Sequence, residues 1–101
     1  MNTKASTTIK KLANIELSLG AVLKSIRESE ELSQEQFGKL LGVSKQYISA
    51  IERHTKLVSV KQAQRFAQVL VHSEKLFIQV ALQDELNSYH INYLVDLHSA
   101  A

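Results

Sequence analysis

The stretch Leu32-Ser33-Gln34-Glu35-Gln36-Phe37-Gly38-Lys39-Leu40-Leu41-Gly42-Val43-Ser44, continued after Lys45 and Gln46 by Tyr47-Ile48-Ser49-Ala50-Ile51-Glu52-Arg53, contains two short helices and the turn between them. Ser33 opens the first: its hydroxyl can accept from the backbone while Gln36 reaches back, a reciprocal cap. Phe37, Leu40 and Leu41 are the inward positions of that helix. Gly42 ends it, because a residue without Cβ takes the left-handed conformation at little cost, and Val43 follows as an apolar residue able to tuck beneath the turn. Ser44 caps the next helix, about Lys45 to Arg53. Ile48 and Ile51 point inward there, leaving Lys45, Gln46, Ser49, Ala50 and Arg53 for other faces. The outward surface of this helix is polar but scarcely acidic.

Working outward, Leu19, Val22, Leu23 and Ile26 recur at i, i+3, i+4 and i+7 and predict a helix ending near Glu30. Beyond a loop from His54 to Val58, Ser59 and Gln62 suggest a second capping box. Val60, Ala63, Phe66, Ala67 and Leu70 form the stripe of a fourth helix ending near Val71. Ser73 caps a fifth, with Leu76, Phe77, Val80 and Ala81 on one side, reaching Asn87. In the last stretch Ile91, Tyr93, Val95 and Leu97 alternate with Asn92, Leu94, Asp96 and His98, the period of a strand. A single strand needs a partner. Nothing earlier is a convincing second strand, so the favoured expectation is pairing with a second copy across a two-fold axis, the other being Thr7 to Lys11. Ile9, Leu12, Ala13 and Leu17 show weak helical spacing. The organisation read from sequence is an N-terminal extension over 1–17, a helical domain over 18–88 and a tail over 89–101.

Composition agrees with this outline. At 101 residues the chain has room for one small domain, and 45% hydrophobic with 22% charged residues describe a chain that folds. No proline and only three glycines leave little turn chemistry for an all-β fold and suit an all-α one. The absence of cysteine excludes disulfides, zinc ribbons, iron–sulfur ligation and thiol catalysis. Apolar runs fall far short of the roughly 20 residues that span a bilayer, and the polar stretch from Met1 to Leu12 has no apolar h-region, so a cytoplasmic chain with no membrane partner is expected. The net charge is only +2, with the positive excess in the middle: Ser33 to Val58 carries four basic and two acidic residues. His54, His72, His90 and His98 form no metal-binding pattern. Asp84 and Glu85, adjacent on a helix, point about 100° apart and read as a solvated face. No enzyme activity, cofactor or metal is expected.

Two short helices joined by a tight Gly42-Val43-Ser44 turn, the second with a polar exposed face, are the parts of a helix-turn-helix, whose second helix enters the major groove of DNA. The quoted stretch resembles the lambda-repressor-like, Xre-type helix-turn-helix family, with similarity reaching back to Arg27 and forward through Phe66 to Leu70. Three positions depart from the family pattern: Gly38 replaces a usual alanine, His54 a common glycine and Val58 a frequent proline.

The resemblance implies a five-helix DNA-binding domain in which Lys45, Gln46, Ser49 and Ala50 reach base edges. Lysine can donate to guanine O6 and N7, glutamine can bond adenine N6 and N7, and an alanine methyl can touch a thymine methyl. It further implies phosphate contacts by Gln34 at a helix N-terminus, by Arg53 and Lys56 past the recognition helix and, secondarily to capping, by Ser33. Tyr47 is counted with these phosphate contacts, its phenol bonding phosphate or its ring packing on the sugar, with a place in the core as the alternative. Arg27 and Glu52 are implied to pair as a structural ion pair. The expected partners are double-stranded DNA and a second copy of the chain, joined through Ile91, Tyr93, Val95 and Leu97. The expected activity is a homodimeric repressor on a pseudo-palindromic operator. Two alternatives are an antitoxin that also binds a toxin protein, and a protein-interaction module without DNA binding.

Overall fold

The computed structural model describes residues 18–100; the expected N-terminal extension, with Thr7 to Lys11, and Ala101 lie outside the described residues. Five helices and no strand are present among the described residues: α1 (Leu19–Ser29), α2 (Gln34–Leu41), α3 (Lys45–Glu52), α4 (Val60–Leu70) and α5 (Glu74–Ser88). Each begins after a serine, Ser18, Ser33, Ser44, Ser59 or Ser73, whose hydroxyl accepts from a backbone amide of the first turn. Such a cap stabilises a helix by about 1 kcal/mol relative to alanine, a sizeable aid to helices as short as eight residues. Only Ser33 forms the full reciprocal box, its amide donating to Gln36 Oε1 at 2.8 Å. The second box expected at Ser59 is half made, because Gln62 Oε1 accepts instead from Arg65 Nε at 2.9 Å.

α1 packs on α3 and α5, α2 on α3 and α4, and α4 on α5. Phe37, Phe66 and Phe77, one from each of α2, α4 and α5, are fully buried where these layers meet, beside Leu41, Ile48 and Ile51. Leu40 and Leu76, both expected inside, are about half exposed because the helix turn carries them off the packed stripe.

Glycine serves close approach more than turning. A Cβ on Gly20 would overlap the Ile51 carbonyl, so α1 crosses the end of α3 backbone to side. A Cβ on Gly38 would lie 2.7 Å from the Val43 carbonyl oxygen, which explains why this chain departs from alanine there: its turn closes directly onto α2. Of the three glycines only Gly42 takes positive φ, at 73°. The other left-handed positions are Glu31, His54, Val71 and His90, at φ of 55° to 60°. His54 thus adopts the conformation that the commoner glycine favours.

Asp84 corrects the expectation of a solvated acidic face. Its Oδ2 accepts the Leu19 amide at 2.9 Å, so the last helix holds the first amide of the first. Burial pushes this carboxyl above its ordinary range, against the opposing pull of the Leu19 N–H and the nearby His54. Glu85 is exposed.

The tail is not a strand. Gln83 Nε2 donates to the Tyr93 carbonyl at 2.8 Å and Gln83 Oε1 accepts from the Val95 amide at 2.8 Å, tying the tail to α5. Leu97, His98 and Ser99 share a shallow cleft with Glu74, Lys75 and Ile78, so the chain runs back along the helix that precedes it. The alternation is met only at its end: Val95 and Leu97 are half-buried, whereas Ile91 and Tyr93, of the same set, are exposed, Tyr93 to 76%. Gln83 thus supplies backbone partners that a neighbouring strand would have supplied.

Val71 is a β-branched residue at φ 55°, and it is 90% exposed. Left-handed geometry costs such a residue roughly 1–2 kcal/mol, partly offset in glycine by unfolded-state entropy. Val71→Gly is expected to raise stability by about 1 kcal/mol, read as a higher urea midpoint at unchanged slope. A lower midpoint would show that the strain is absent.

Candidate nucleic-acid interface

The Val43 amide donates to the Gly38 carbonyl at 2.9 Å, and the Tyr47 amide to Ser44 Oγ at 3.0 Å, so both sides of the turn are closed by hydrogen bonds. With Ile48 and Ile51 in the core, the orientation of α3 is fixed and its opposite face is outward. On that side Gln34, Lys45, Gln46, Ser49 and Arg53 line one shallow concavity of about 210 Å³. The structure therefore brings together residues that the sequence divided between base and phosphate roles. Lys45 and Gln46 are exposed, whereas Ser49 and Ala50 are half-buried. The Ala50 carbonyl accepts from the amide and hydroxyl of Thr55, which secures the exit from α3.

Arg27 and Glu52 pair as expected. Arg27 Nε and Nη2 donate to Glu52 Oε2 and Oε1 at 2.7 and 3.0 Å, a two-point contact, and Nη1 donates to the Leu32 carbonyl at 2.9 Å. The two side chains are 14% and 4% exposed. Gln34 Nε2 also donates to Glu52 Oε1, at 3.1 Å. Burial pushes the Glu52 carboxyl up, but the bonds from Arg27 and Gln34 outweigh it and hold the group below its ordinary range. The hydrogen bond that Arg27 donates to Glu52 in turn raises the guanidinium above its ordinary value.

Ser33 is a cap, its hydroxyl accepting the Gln36 amide at 3.0 Å. Tyr47 turns toward the core rather than outward: its ring meets Phe66 edge-on at 6.2 Å, and its buried hydroxyl has no hydrogen-bond partner among the described residues. Burial raises this phenol, with Arg65 opposing. Lys56 Nζ sits 5.9 Å from the Tyr47 ring centroid, an aromatic contact that the sequence did not signal. Also missed was the link from Arg53 Nε to the Ser49 carbonyl and hydroxyl at 3.2 and 3.1 Å, although the i, i+4 spacing was a sufficient clue. A larger concavity of about 320 Å³, bordered by Ser18, His54, Lys56 and Asp84, shares none of the five residues.

Residues 23–70, from the middle of α1 to the end of α4, match the family described as helix-turn-helix. They form a helix-turn-helix domain of the Xre, lambda-repressor-like family. A domain of this kind is that of DNA-binding transcription regulators. No curated protein and no solved structure matches it. In this helix-turn-helix domain α2 and α3 are the two helices joined by the turn, while α5 and the tail lie outside the matched segment. Among the described residues no helix is long and apolar enough to cross a membrane, and no group of three or more His, Asp or Glu side chains is placed to hold a metal.

Removing one charge of a buried pair leaves the other uncompensated, a loss of about 3 kcal/mol. Glu52→Gln is expected to lower stability by roughly that amount at pH 7. Because the folded Glu52 carboxyl lies below its ordinary range, its contribution is full above the ordinary carboxylate pKa and fades as pH falls through the lowered value. The gap between the urea midpoints of the two proteins should therefore narrow in acid; a constant gap would contradict this linkage.

Proposed function

We propose that the chain is a homodimeric repressor that lays α3 in the major groove of a pseudo-palindromic operator. The observation that carries this reading is the outward concavity of Gln34, Lys45, Gln46, Ser49 and Arg53, which gathers amide, hydroxyl and cationic donors on the face opposite the buried isoleucines. Lys45 and Gln46, in the first turn, read base edges. Ala50 leaves room for a thymine methyl. Lys56 and the N-terminus of α2 at Gln34 meet phosphates that set the register. Repression needs only affinity and placement across a promoter.

The second copy docks on the tail and the adjoining end of α5, where Tyr89, Ile91, Tyr93 and Leu94 are exposed. Val95 and Leu97, half-buried beside α5, support that surface from beneath. A two-fold dimer sets the recognition helices about 34 Å apart, one helical turn of DNA. Deleting residues 91–101 is expected to weaken dimerisation and with it operator affinity, and sedimentation of both proteins measures this. A chain that stays monomeric alone but pairs with a small co-encoded protein would favour the antitoxin alternative.

The direct test is a mobility shift on DNA from immediately upstream of the coding region, in a salt series with competitor. A saturable, competitor-resistant shift with a steep salt slope is expected. Weak, sequence-blind binding would favour the interaction-module alternative. On the bound site, Gln46→Ala is expected to relax discrimination at one base pair by about 1–3 kcal/mol while leaving the fold intact. Equal affinity for every substituted site in both proteins would remove Gln46 from the reading face.

A further inference from the structure

We infer that Arg53 reads a guanine in the groove, as a two-pronged donor set in place by Ser49, instead of holding a phosphate. This rests on the DNA-reading function proposed above. Arg53 Nε–H points back along its own helix to the Ser49 carbonyl and hydroxyl, at 3.2 and 3.1 Å. The N–H groups at the other end of the guanidinium, on Nη1 and Nη2, remain as a planar fork, and no ion pair with a carboxylate engages them among the described residues. A phosphate accepts a cation from many directions, so holding one needs no such restraint. Guanine offers O6 and N7 in one plane at fixed spacing, and a pre-set arginine fork matches that pair.

Position agrees with orientation. Gln46, Ser49 and Arg53 recur at i, i+3 and i+7, so they share one face of α3 and its exit, and all three line the concavity that holds Lys45. Ser49 accepts the Nε–H and acts through Arg53 as a positioning residue.

The test is selection of sites by the full chain from a randomised double-stranded DNA library, followed by competition binding on the selected site and on its single-base variants. A guanine preference at one half-site position is expected for the unaltered chain. Arg53→Lys, which keeps the charge but loses the planar fork, is expected to lower affinity for the selected site about 10- to 100-fold. It should bind the variant lacking that guanine as well as the unaltered chain does. Ser49→Ala is expected to weaken the same preference at the same position, Ser49→Thr to restore it, and the Ser49→Ala and Arg53→Lys pair to lose no more than Arg53→Lys alone. A uniform loss over all sites, no loss at all, or a preference untouched by Ser49→Ala overturns the assignment. If the unaltered chain enriches no sequence, the DNA-reading function itself fails, a different outcome. Equal unfolding midpoints across the variants separate these results from misfolding.

Discussion

The two-point contact between Arg27 and Glu52 is the constraint on which the rest of the domain depends. It joins α1 to the last turn of the recognition helix. Through the Leu32 carbonyl it also fixes the loop that leads into α2, and through Gln34 it reaches the first residue of α2. Four parts of the chain thereby share one nearly buried charge pair. Its worth is as much geometric as energetic: a planar guanidinium facing a carboxylate admits one orientation, and Gln34 is held at the edge of the outward concavity as a result. The exposed ion pair of Lys39 with Glu35, at 3.8 Å, imposes no comparable restraint.

Serine and glycine divide the remaining local work. Serine starts every described helix, and four of those five starts were legible because a capping hydroxyl stood just before an apolar stripe. Ser18 was missed as a cap because the preceding residues blur the beginning of the stripe. The turn, the two helices that it joins and the Arg27 to Glu52 pair were equally legible, the first two from spacing and the pair from family resemblance. What spacing could not reveal was why Gly38 replaces alanine, since only the folded turn shows the Val43 carbonyl lying across it.

The misreadings have a common origin in contacts between distant residues. Alternation at Ile91 to Leu97 suggests a strand with one covered side, but only Val95 and Leu97 are half-buried, and it is Gln83 on α5 that engages the backbone there. Tyr47 was read as a phosphate contact, but its ring packs edge-on against Phe66, 19 residues later in the chain. Asp84 read as solvated because its partner is an amide 65 residues earlier.

That last contact also imposes an order of events on a chain made from its N-terminus. The segment matching the family ends at Leu70, so every residue of the outward concavity exists as sequence before α5 has been made. Until residue 84 arrives, the first amide of α1 lacks its acceptor, and until residue 77 arrives the core lacks one of its three phenylalanines. A nascent chain stalled after Leu70 thus carries every residue of the recognition helix without the helix on which α1 and α4 close. Closure of the core is in this sense deferred until α5 has been made, a timing set by one carboxylate and one ring.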